Sequence, residues 1–403
     1  MKIEMNKKAA QLTVFLVVLV DLMGFGIVLP LLPFYAGRFE AGPVTIGLLY
    51  SIYSFAQLIF SPIWGAWSDR IGRRPIMLLS TLGSTLSYVL FAFSPSLAVL
   101  FASRLFAGVM GGNISAAQAY MADITTEENR AKGMGLIGAA FGIGFVLGPA
   151  ISSILLMLPE SAFTAANKFS LPGLVAALLS MTSFILVWLK LPETVRGAAE
   201  NDPSRIRRAS VFSVRFWALL SSGKSKLLPL LFLSVVILAL GQSSLYSAFP
   251  LYCERLFSLP PEKVGLLFVW MGAVAILIQG GAIRPLVKRF GEKILFLSGN
   301  VLLACGLALI PFAASELALA AALGIMGVGA SLNGPTLLSL ISKTAAPSEM
   351  GRTLGASQGL SALGRVIGPA WGGWLFAFSP PTPFLFTAGV VLITVWIGFQ
   401  IQD

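Results

Sequence analysis

Asp21 interrupts an otherwise apolar stretch, VLVDLMGFGIVLPLLP, at residues 18–33. An aspartate at the centre of a membrane span costs roughly 2.5–3.5 kcal/mol on insertion scales, so it is expected to face a protein interior or a water-filled cavity. Such a carboxylate can hold a proton or a cationic group, but it holds both together poorly. We therefore predict that Asp21 exchanges protons for a substrate. The alternative is a permanent pair with Arg104 that only fixes helix packing.

Two arginines also lie inside apolar segments. Arg104 is in LFASRLFAGVMGG (100–112) and Arg365 is in LGRVIGPAWGG (363–373). Arg104 could act with Asp21 in proton coupling, or it could extend its long side chain to the membrane surface. If Arg365 faces a cavity, two arginines oppose one aspartate and an anionic substrate is favoured. If it faces a neighbouring helix, its role is structural, and the sequence leaves both readings open.

Polar aromatic and amide side chains recur at helical spacing within apolar segments, where they could line a substrate cavity. They are Tyr50, Tyr53 and Gln57 on one segment, Gln242 and Tyr246 on a second, and Gln279 on a third. The alternative is that they form interhelical hydrogen bonds worth about 0.6 kcal/mol each.

The elements that must position these residues are membrane-spanning helices. The chain has 403 residues, of which 56% are hydrophobic and 11% charged, whereas soluble domains have about 25% charged residues. Apolar runs long enough to cross a bilayer recur along the chain. They predict an all-α integral membrane protein with twelve spans, at residues 10–36, 43–66, 75–93, 96–119, 130–157, 171–190, 227–256, 261–284, 291–312, 316–340, 350–377 and 381–402.

The net charge of +11 follows the topology of these spans. With both termini in the cytoplasm, the inner loops and termini hold 22 lysines and arginines and the outer loops hold 4. This asymmetry obeys the positive-inside rule, so the charge does not indicate a nucleic-acid partner. The chain contains no histidine and only two cysteines, Cys253 and Cys305, so we expect no metal site and no disulfide framework.

The two halves of the chain resemble each other at an offset of 218 to 220 residues. TIGLLYS (45–51) matches KVGLLFV (263–269), RIGRR (70–74) matches RFGEK (289–293), and GFVLGPA (144–150) matches GRVIGPA (364–370). We therefore predict two parallel six-helix repeats, residues 1–190 and 227–403, joined by a cytoplasmic linker at 191–226. In transporters built this way the substrate site lies between the repeats.

The loop GAWSDRIGRRPIML (65–78) resembles the signature loop of the major facilitator superfamily. The resemblance implies a cytoplasmic gate, in which the loop acid Asp69 touches a helix end of the other half and Arg73 pairs with Asp123. The alternative is an ordinary solvated basic loop. The residues assigned to this gate are Gly65, Asp69, Arg70, Gly72, Arg73, Arg74 and Asp123.

The segment GMGLIGAAFGIGFVLGPAISS (133–153) resembles the helix 5 motif of the superfamily's antiporters. Its glycines allow close helix approach and its proline bends the span. The motif residues are Gly135, Gly144, Gly148 and Pro149, with a copy at Gly355, Gly364, Gly368, Pro369, Gly372 and Gly373. The family pattern ends in two glycines, which the first copy replaces with Ser152 and Ser153.

Residues 10–155 are similar to the bacterial tetracycline efflux proteins and their drug–proton antiporter relatives. DLMGFGIVLPLLP, YSFAQLIFSPIWGAWSDRIGRRPIMLLS and AYMADIT carry this resemblance. Those pumps have further acids in helices 3 and 9, where this chain has Ser87 and the uncharged NVLLACGLAL (300–309), and a helix 8 histidine that this chain lacks. These differences argue against tetracycline itself as the substrate.

The resulting expectation is a secondary active transporter that exports small amphipathic or drug-like molecules by proton antiport. The alternatives are an anion or metabolite carrier, importing or exporting through Arg104 and Arg365, and a non-transporting membrane receptor or scaffold. No phosphate-binding loop or catalytic constellation is present in the sequence, so we expect neither an ATP-driven pump nor an enzyme. We expect no cofactor, the proton gradient as energy source, and a monomer in a bacterial inner membrane.

Overall fold

A computed structural model describes residues 7–158, 168–194, 227–344 and 350–401, and the regular structure in these residues is entirely helical. The main helices are Lys7–Val28 (span 1), Pro43–Ile71 (span 2), Arg73–Ala92 (span 3), Leu97–Met110 with Asn113–Ile124 (span 4), Glu127–Leu156 (span 5), Ser170–Lys190 (span 6), Leu227–Phe257 (span 7), Pro261–Leu277 (span 8), Ile283–Leu309 (the end of span 8 and span 9), Glu316–Thr344 (span 10), Met350–Phe378 (span 11) and Thr382–Phe399 (span 12).

Ten helical segments among the described residues are long and apolar enough to cross a membrane. One of them, Pro261–Phe312, has 52 residues, which is enough for two crossings. It bends at Gly291, whose φ of 76° and ψ of 164° are not helical. Counting this segment as spans 8 and 9 and adding Met350–Phe378 brings the number of spans to twelve. The prediction of an all-α membrane protein is confirmed.

The predicted ends of several spans differ from those in the structure, and two of these spans are interrupted. Span 1 stops at Val28, and a short separate helix, Leu32–Gly37, follows. Pro30 explains this, because a proline removes a backbone donor and disfavours helical geometry in the residue before it, while Pro33 occupies the first turn of the short helix, where a proline is tolerated. Span 4 runs beyond its predicted end at residue 119 to Ile124, with a break after Met110.

The chain forms two compact units. Unit 1 contains Met1–Glu40, Ile52–Arg207 and Pro261–Val269, and unit 2 contains Ala41–Ser51, Arg208–Pro260 and Trp270–Asp403. The first turns of spans 2 and 8 therefore belong to the unit formed mostly by the other half of the sequence. The division at 1–190, 191–226 and 227–403 stays a prediction, and most of the linker, 195–226, lies outside the described residues.

The same pairs of spans pack together in each unit. In unit 1, span 1 contacts spans 5 and 6, and span 3 contacts spans 4 and 6; in unit 2, span 7 contacts spans 11 and 12, and span 9 contacts spans 10 and 12. Val14, Met77 and Tyr120 belong to the hydrophobic core of unit 1, while Phe232 and Phe296 belong to that of unit 2. This equivalent pairing is what an internal duplication predicts.

Candidate functional site

Asp21 lies in the second half of span 1, and its side chain is half-buried. The residues that follow it, Leu22 and Met23, lie against span 5. Phe25, one turn further along span 1, connects the neighbouring spans. Its ring centroid is 5.1 Å from that of Tyr53 in span 2 and 5.8 Å from that of Phe145 in span 5. The carboxylate therefore stands one helical turn from an aromatic cluster in unit 1.

Tyr88 in span 3 lies against span 1 next to Asp21. A methyl group added at Gly24 would lie 2.5 Å from the Tyr88 hydroxyl oxygen, so the two helices touch there. Asp21, Arg104 and Tyr53 are all electrostatic neighbours of the Tyr88 hydroxyl. Tyr88 is buried, and a buried tyrosine usually needs a polar partner. This polar aromatic residue within an apolar span was the signal that sequence reasoning missed.

Arg104 is only 3% exposed, so its side chain does not extend to a surface of the molecule. Its guanidinium carbon lies 4.8 Å from the centroid of the Phe91 ring, one turn from Tyr88. This geometry fits a cation–π interaction, which is strongest when both groups are shielded from water. The structure thus brings Asp21, Arg104 and Tyr88 into one electrostatic group within unit 1.

Gln57 supports the break in span 4. Its Nε2 donates to the carbonyl oxygen of Gly111 at 3.1 Å. The two carbonyls before it are also satisfied by side chains, since Trp64 Nε1 donates to Val109 and Ser80 Oγ donates to Met110. Side-chain donors of this kind stabilise an interrupted helix inside a membrane. The Gln57 amide therefore positions span 4, whether or not it also contacts a substrate.

Unit 2 contains a cavity of about 250 Å³ lined by residues of spans 7, 9, 10 and 11. Three predicted cavity residues, Gln242, Tyr246 and Arg365, meet there. Arg365 Nη1 donates to Ser361 Oγ at 2.9 Å, which directs the guanidinium along span 11. Gln358 and Asn333 also line the cavity and were not predicted. The spacing of residues 358, 361 and 365 on one helical face was the available signal.

The other predicted cavity residues lie elsewhere. Tyr53 is in unit 1, in the aromatic cluster near Asp21. Tyr50 is in unit 2 and only 5% exposed. Gln279 is exposed on the π-helical turn Ile278–Ala282 of span 8. Neither Tyr50 nor Gln279 lines the unit 2 cavity. Single π-helical turns are frequent at functional sites, so the position of Gln279 is compatible with a role outside that cavity.

Several of the predicted gate residues form a connected cluster at one end of unit 1. Arg73 pairs with Asp69 one turn earlier and, through Nε, with Asp123 Oδ2 at 3.1 Å. Arg73 Nη1 also donates to Ser68 Oγ at 2.7 Å. Arg73 is only 7% exposed, so these acceptors surround its charge. Gly65 is buried and Arg70 is exposed.

Glu193 belongs to the same cluster and was missed because it lies in the predicted linker. Its two carboxylate oxygens accept hydrogen bonds from the backbone N–H groups of Arg73 at 2.9 Å and Arg74 at 3.1 Å. These groups are at the start of span 3, where N–H groups have no partner within the helix. The preceding Gly72 has a φ of 116°, a backbone conformation that favours glycine. Glu193 therefore caps span 3 and joins it to the end of span 6.

The antiporter glycines make helix contacts that repeat in both units. A methyl group at Gly148 would lie 2.6 Å from the Cα of Gly26, and one at Gly144 would lie 2.6 Å from the Cβ of Leu22, both in span 1. In unit 2, Gly364, Gly368 and Gly372 make the equivalent close contacts with span 7. The first glycine of each motif, Gly135 or Gly355, has nothing within 4 Å of an added methyl group.

The prolines of these motifs mark a second repeated contact. In unit 2, Gly47 at the start of span 2 lies directly against the carbonyl of Pro369 in span 11. Nearby, the Ala370 N–H donates to Ser51 Oγ at 3.1 Å. In unit 1, Gly265 at the start of span 8 lies near the carbonyl of Pro149. Gly373 also packs against Pro43 within unit 2. The repeats thus share helix pairings and contact glycines.

These features agree with a comparison to known families. The model of the Major Facilitator Superfamily matches residues 14–284 and 231–401. The chain belongs to the major facilitator superfamily. This confirms the resemblance that the loop at 65–78 and the glycine motifs carry, and it makes the chain a membrane transporter of a family that moves small molecules.

Related proteins cover nearly the whole chain. It is 30% identical to the class C tetracycline resistance protein of Escherichia coli, over 91% of this chain and 89% of that one. It is 28% identical to multidrug resistance protein 2 of Bacillus subtilis, over 95% and 93% of the two chains. Its sequence relatives are therefore proteins named for tetracycline and multidrug resistance.

Solved structures show the same fold. The human organic anion transporter MFSD10 (TETRAN) aligns with a TM-score of 0.71 and 26% identity, covering 98% of this chain and 99% of that one. The nucleoside transporter NupG aligns with a TM-score of 0.79 and 13% identity, over 98% and 100% of the two chains. The second likeness concerns the fold alone, because its sequence identity is low.

Proposed function

We propose that this member of the superfamily exports small amphipathic molecules in exchange for protons, by alternating access. The observation that carries the proposal is Asp21. Sixteen of the seventeen acidic residues fall in loops, at span ends or at the termini, while Asp21 lies well inside a span. A carboxylate is costly at such a position unless it serves a cavity or a partner.

The neighbours of Asp21 provide a means of coupling. The carboxylate, when ionised, is attracted to the buried Arg104 guanidinium, and Tyr88 is close to both. Protonation of Asp21 removes that attraction, so the preferred arrangement of spans 1, 3 and 4 differs between the two protonation states. The glycine contact between spans 1 and 5 is close, and small residues at such a contact let one helix shift against the other.

The names of the relatives support this direction of transport. Resistance to tetracycline or to several drugs is the property after which the similar bacterial proteins are named. By extension, this chain resides in a bacterial inner membrane with both termini in the cytoplasm, as the positive-inside rule predicts. The energy source is the proton gradient, in which each elementary charge moved gains about 2.3 kcal/mol per 100 mV.

The test uses inside-out vesicles with an imposed pH gradient and the probes tetracycline, 1-naphthoate, 1-naphthamide and 1-naphthylmethylammonium. Wild-type protein is expected to move protons when a transported probe is added, and Asp21→Asn is expected to abolish this flux. Glu40→Gln, which removes an exposed loop carboxylate, is the matched control and should leave it intact. Substrate-driven proton flux that survives Asp21→Asn would refute the coupling role.

Transport of organic anions is a second candidate, favoured by one specific observation. Arg365 lines the unit 2 cavity, where a positive charge can attract an anionic group. The structural relative MFSD10 is described as an organic anion transporter. The two candidates are compatible, because proton exchange in unit 1 does not determine the charge of the substrate.

A further inference from the structure

We infer that the unit 2 cavity binds the carboxylate end of an amphipathic organic anion, with Arg365 as its charge partner. This inference rests on the proposed transport function and deepens it by naming the class of substrate. It assigns charge recognition to unit 2, whereas proton coupling is assigned to Asp21 in unit 1.

The charge of the cavity supports an anionic ligand. Among the described residues that line it, Arg365 is the one with a formal charge, and these residues include no aspartate or glutamate. Because the described lining contains an arginine and no carboxylate, its charge attracts anions and repels cations. Cationic drugs would meet an unfavourable field here, which distinguishes this cavity from the surroundings of Asp21.

The hydrogen-bonding groups of the cavity also fit a carboxylate. Ser361 holds one guanidinium nitrogen at 2.9 Å, and the amides of Gln242 and Gln358 are exposed in the cavity lining. The N–H groups of the Gln242 and Gln358 amides can donate to a ligand oxygen. A carboxylate offers about four acceptor positions for such donors.

The rest of the lining is apolar and sets the size of the ligand. Val235, Leu238, Leu303 and Leu337 contribute aliphatic surface to the lining. The volume of about 250 Å³ is just below the usual range of drug-sized pockets, roughly 300–1,000 Å³. The cavity therefore suits an anionic group attached to one ring system. A larger amphipathic molecule would place only its acidic end there.

This assignment has a consequence for transport. If one proton enters for each molecule exported, export of a monovalent anion moves two positive charges inward, that of a neutral molecule one, and that of a monovalent cation none. An inside-negative membrane potential therefore drives anion export most strongly. An imposed membrane potential that is negative on the cytoplasmic side, without a pH gradient, should accelerate the export of 1-naphthoate. It should leave the export of 1-naphthylmethylammonium unchanged.

Equilibrium binding tests the site directly, in nanodiscs without any gradient, with 1-naphthoate and its neutral isostere 1-naphthamide. Wild-type protein is expected to bind naphthoate at least about tenfold more tightly than naphthamide. This ratio corresponds to the smallest free energy expected of a hydrogen bond to a charged group. Arg365→Gln should abolish this preference. Arg365→Lys should keep a weaker one, because an ammonium retains the charge without the planar fork of donors. Arg289→Gln, which removes an exposed arginine outside the cavity, is the matched control.

Two results would overturn the inference: equal affinity for naphthoate and naphthamide in the wild type, or an unchanged preference in Arg365→Gln. If Arg365→Gln does not fold, the preference must still fall in Arg365→Lys. Asp21→Asn is expected to keep the preference, since Asp21 does not line the cavity. If the protein binds naphthoate through Arg365 but shows no substrate-driven proton flux in vesicles, only proton coupling is refuted. If it shows that flux but binds naphthoate and naphthamide equally, only the carboxylate site is refuted.

Discussion

Replacing Gly148 by alanine should separate span 5 from span 1 and thereby displace the segment that carries Asp21. The added methyl group would lie 2.6 Å from the Cα of Gly26 and 2.7 Å from the carbonyl oxygen of Met23. Carbon atoms pack best at about 3.5–4.0 Å, so the two helices must move apart by about 1 Å. Both contacts are with backbone atoms, which cannot move aside by changing rotamer.

The magnitude follows from two opposing effects. Overpacking of this kind costs about 1–3 kcal/mol, whereas alanine gains about 1 kcal/mol over glycine in a helix interior. Gly142 lies on the same helix, and a methyl group there has nothing within 4 Å. Gly142→Ala is therefore expected to gain the helix-propensity stabilisation of about 1 kcal/mol without any packing cost. The two variants contain the same chemical change, so the difference in their stability isolates the packing cost of about 1–3 kcal/mol.

Thermal unfolding in detergent is the first assay, and the proton-flux assay in vesicles is the second. Gly142→Ala should unfold at or above the wild-type temperature, and Gly148→Ala below that of Gly142→Ala. Coupled transport should fall about tenfold to a hundredfold in Gly148→Ala, since a displacement of about 1 Å can cost that much at a reacting group. Equal stability of the two variants would refute the close contact. The pair Gly368→Ala and Gly355→Ala repeats the test in unit 2.

Two further predictions concern Tyr88 and Glu193. Tyr88→Phe removes a hydroxyl group that has both Asp21 and Arg104 as electrostatic neighbours, and it should lower coupled transport about tenfold, the effect of one polar interaction. Tyr35→Phe removes a buried hydroxyl that donates to the Ser94 carbonyl and should leave transport unchanged, so equal transport in the two variants would contradict the role of Tyr88. Glu193→Ala removes the acceptor for two N–H groups at the start of span 3 and should lower the free energy of unfolding by about 1–2 kcal/mol. Thermal unfolding measures this loss, and an unchanged unfolding temperature would exclude the capping role of Glu193.

Much of the architecture can be predicted from the sequence because it depends on local composition. A run of about twenty apolar residues identifies a span wherever it occurs, and the offset of 218 to 220 residues reveals the duplication without any knowledge of contacts. The cost of an acid inside a span singles out Asp21 in the same way. The loop at 65–78 carries enough of the family pattern to indicate the superfamily, which the comparison confirms.

The faces of the helices could be predicted much less well. A soluble helix shows its buried side by its apolar stripe, whereas a membrane helix is apolar all round, so periodicity does not tell which side meets protein. For this reason the sequence predicted the same close helix contact for Gly135 and Gly148, although of these two only Gly148 packs closely against another helix. The sequence also did not determine whether the Arg365 side chain faces a cavity or a neighbouring helix, and it did not indicate a role for Tyr88.

The sequence by itself therefore determined the class of protein, its twelve spans, their duplication and the residue most suited to proton exchange. Only the tertiary structure decided which side chains meet. It brought Arg104 and Tyr88 to the surroundings of Asp21, directed Arg365 to a cavity whose described lining contains no acid, and joined Glu193 to a helix start 120 residues away. The physical reason is that the cost of burying a charge is local, whereas the partners that offset it come from distant parts of the chain.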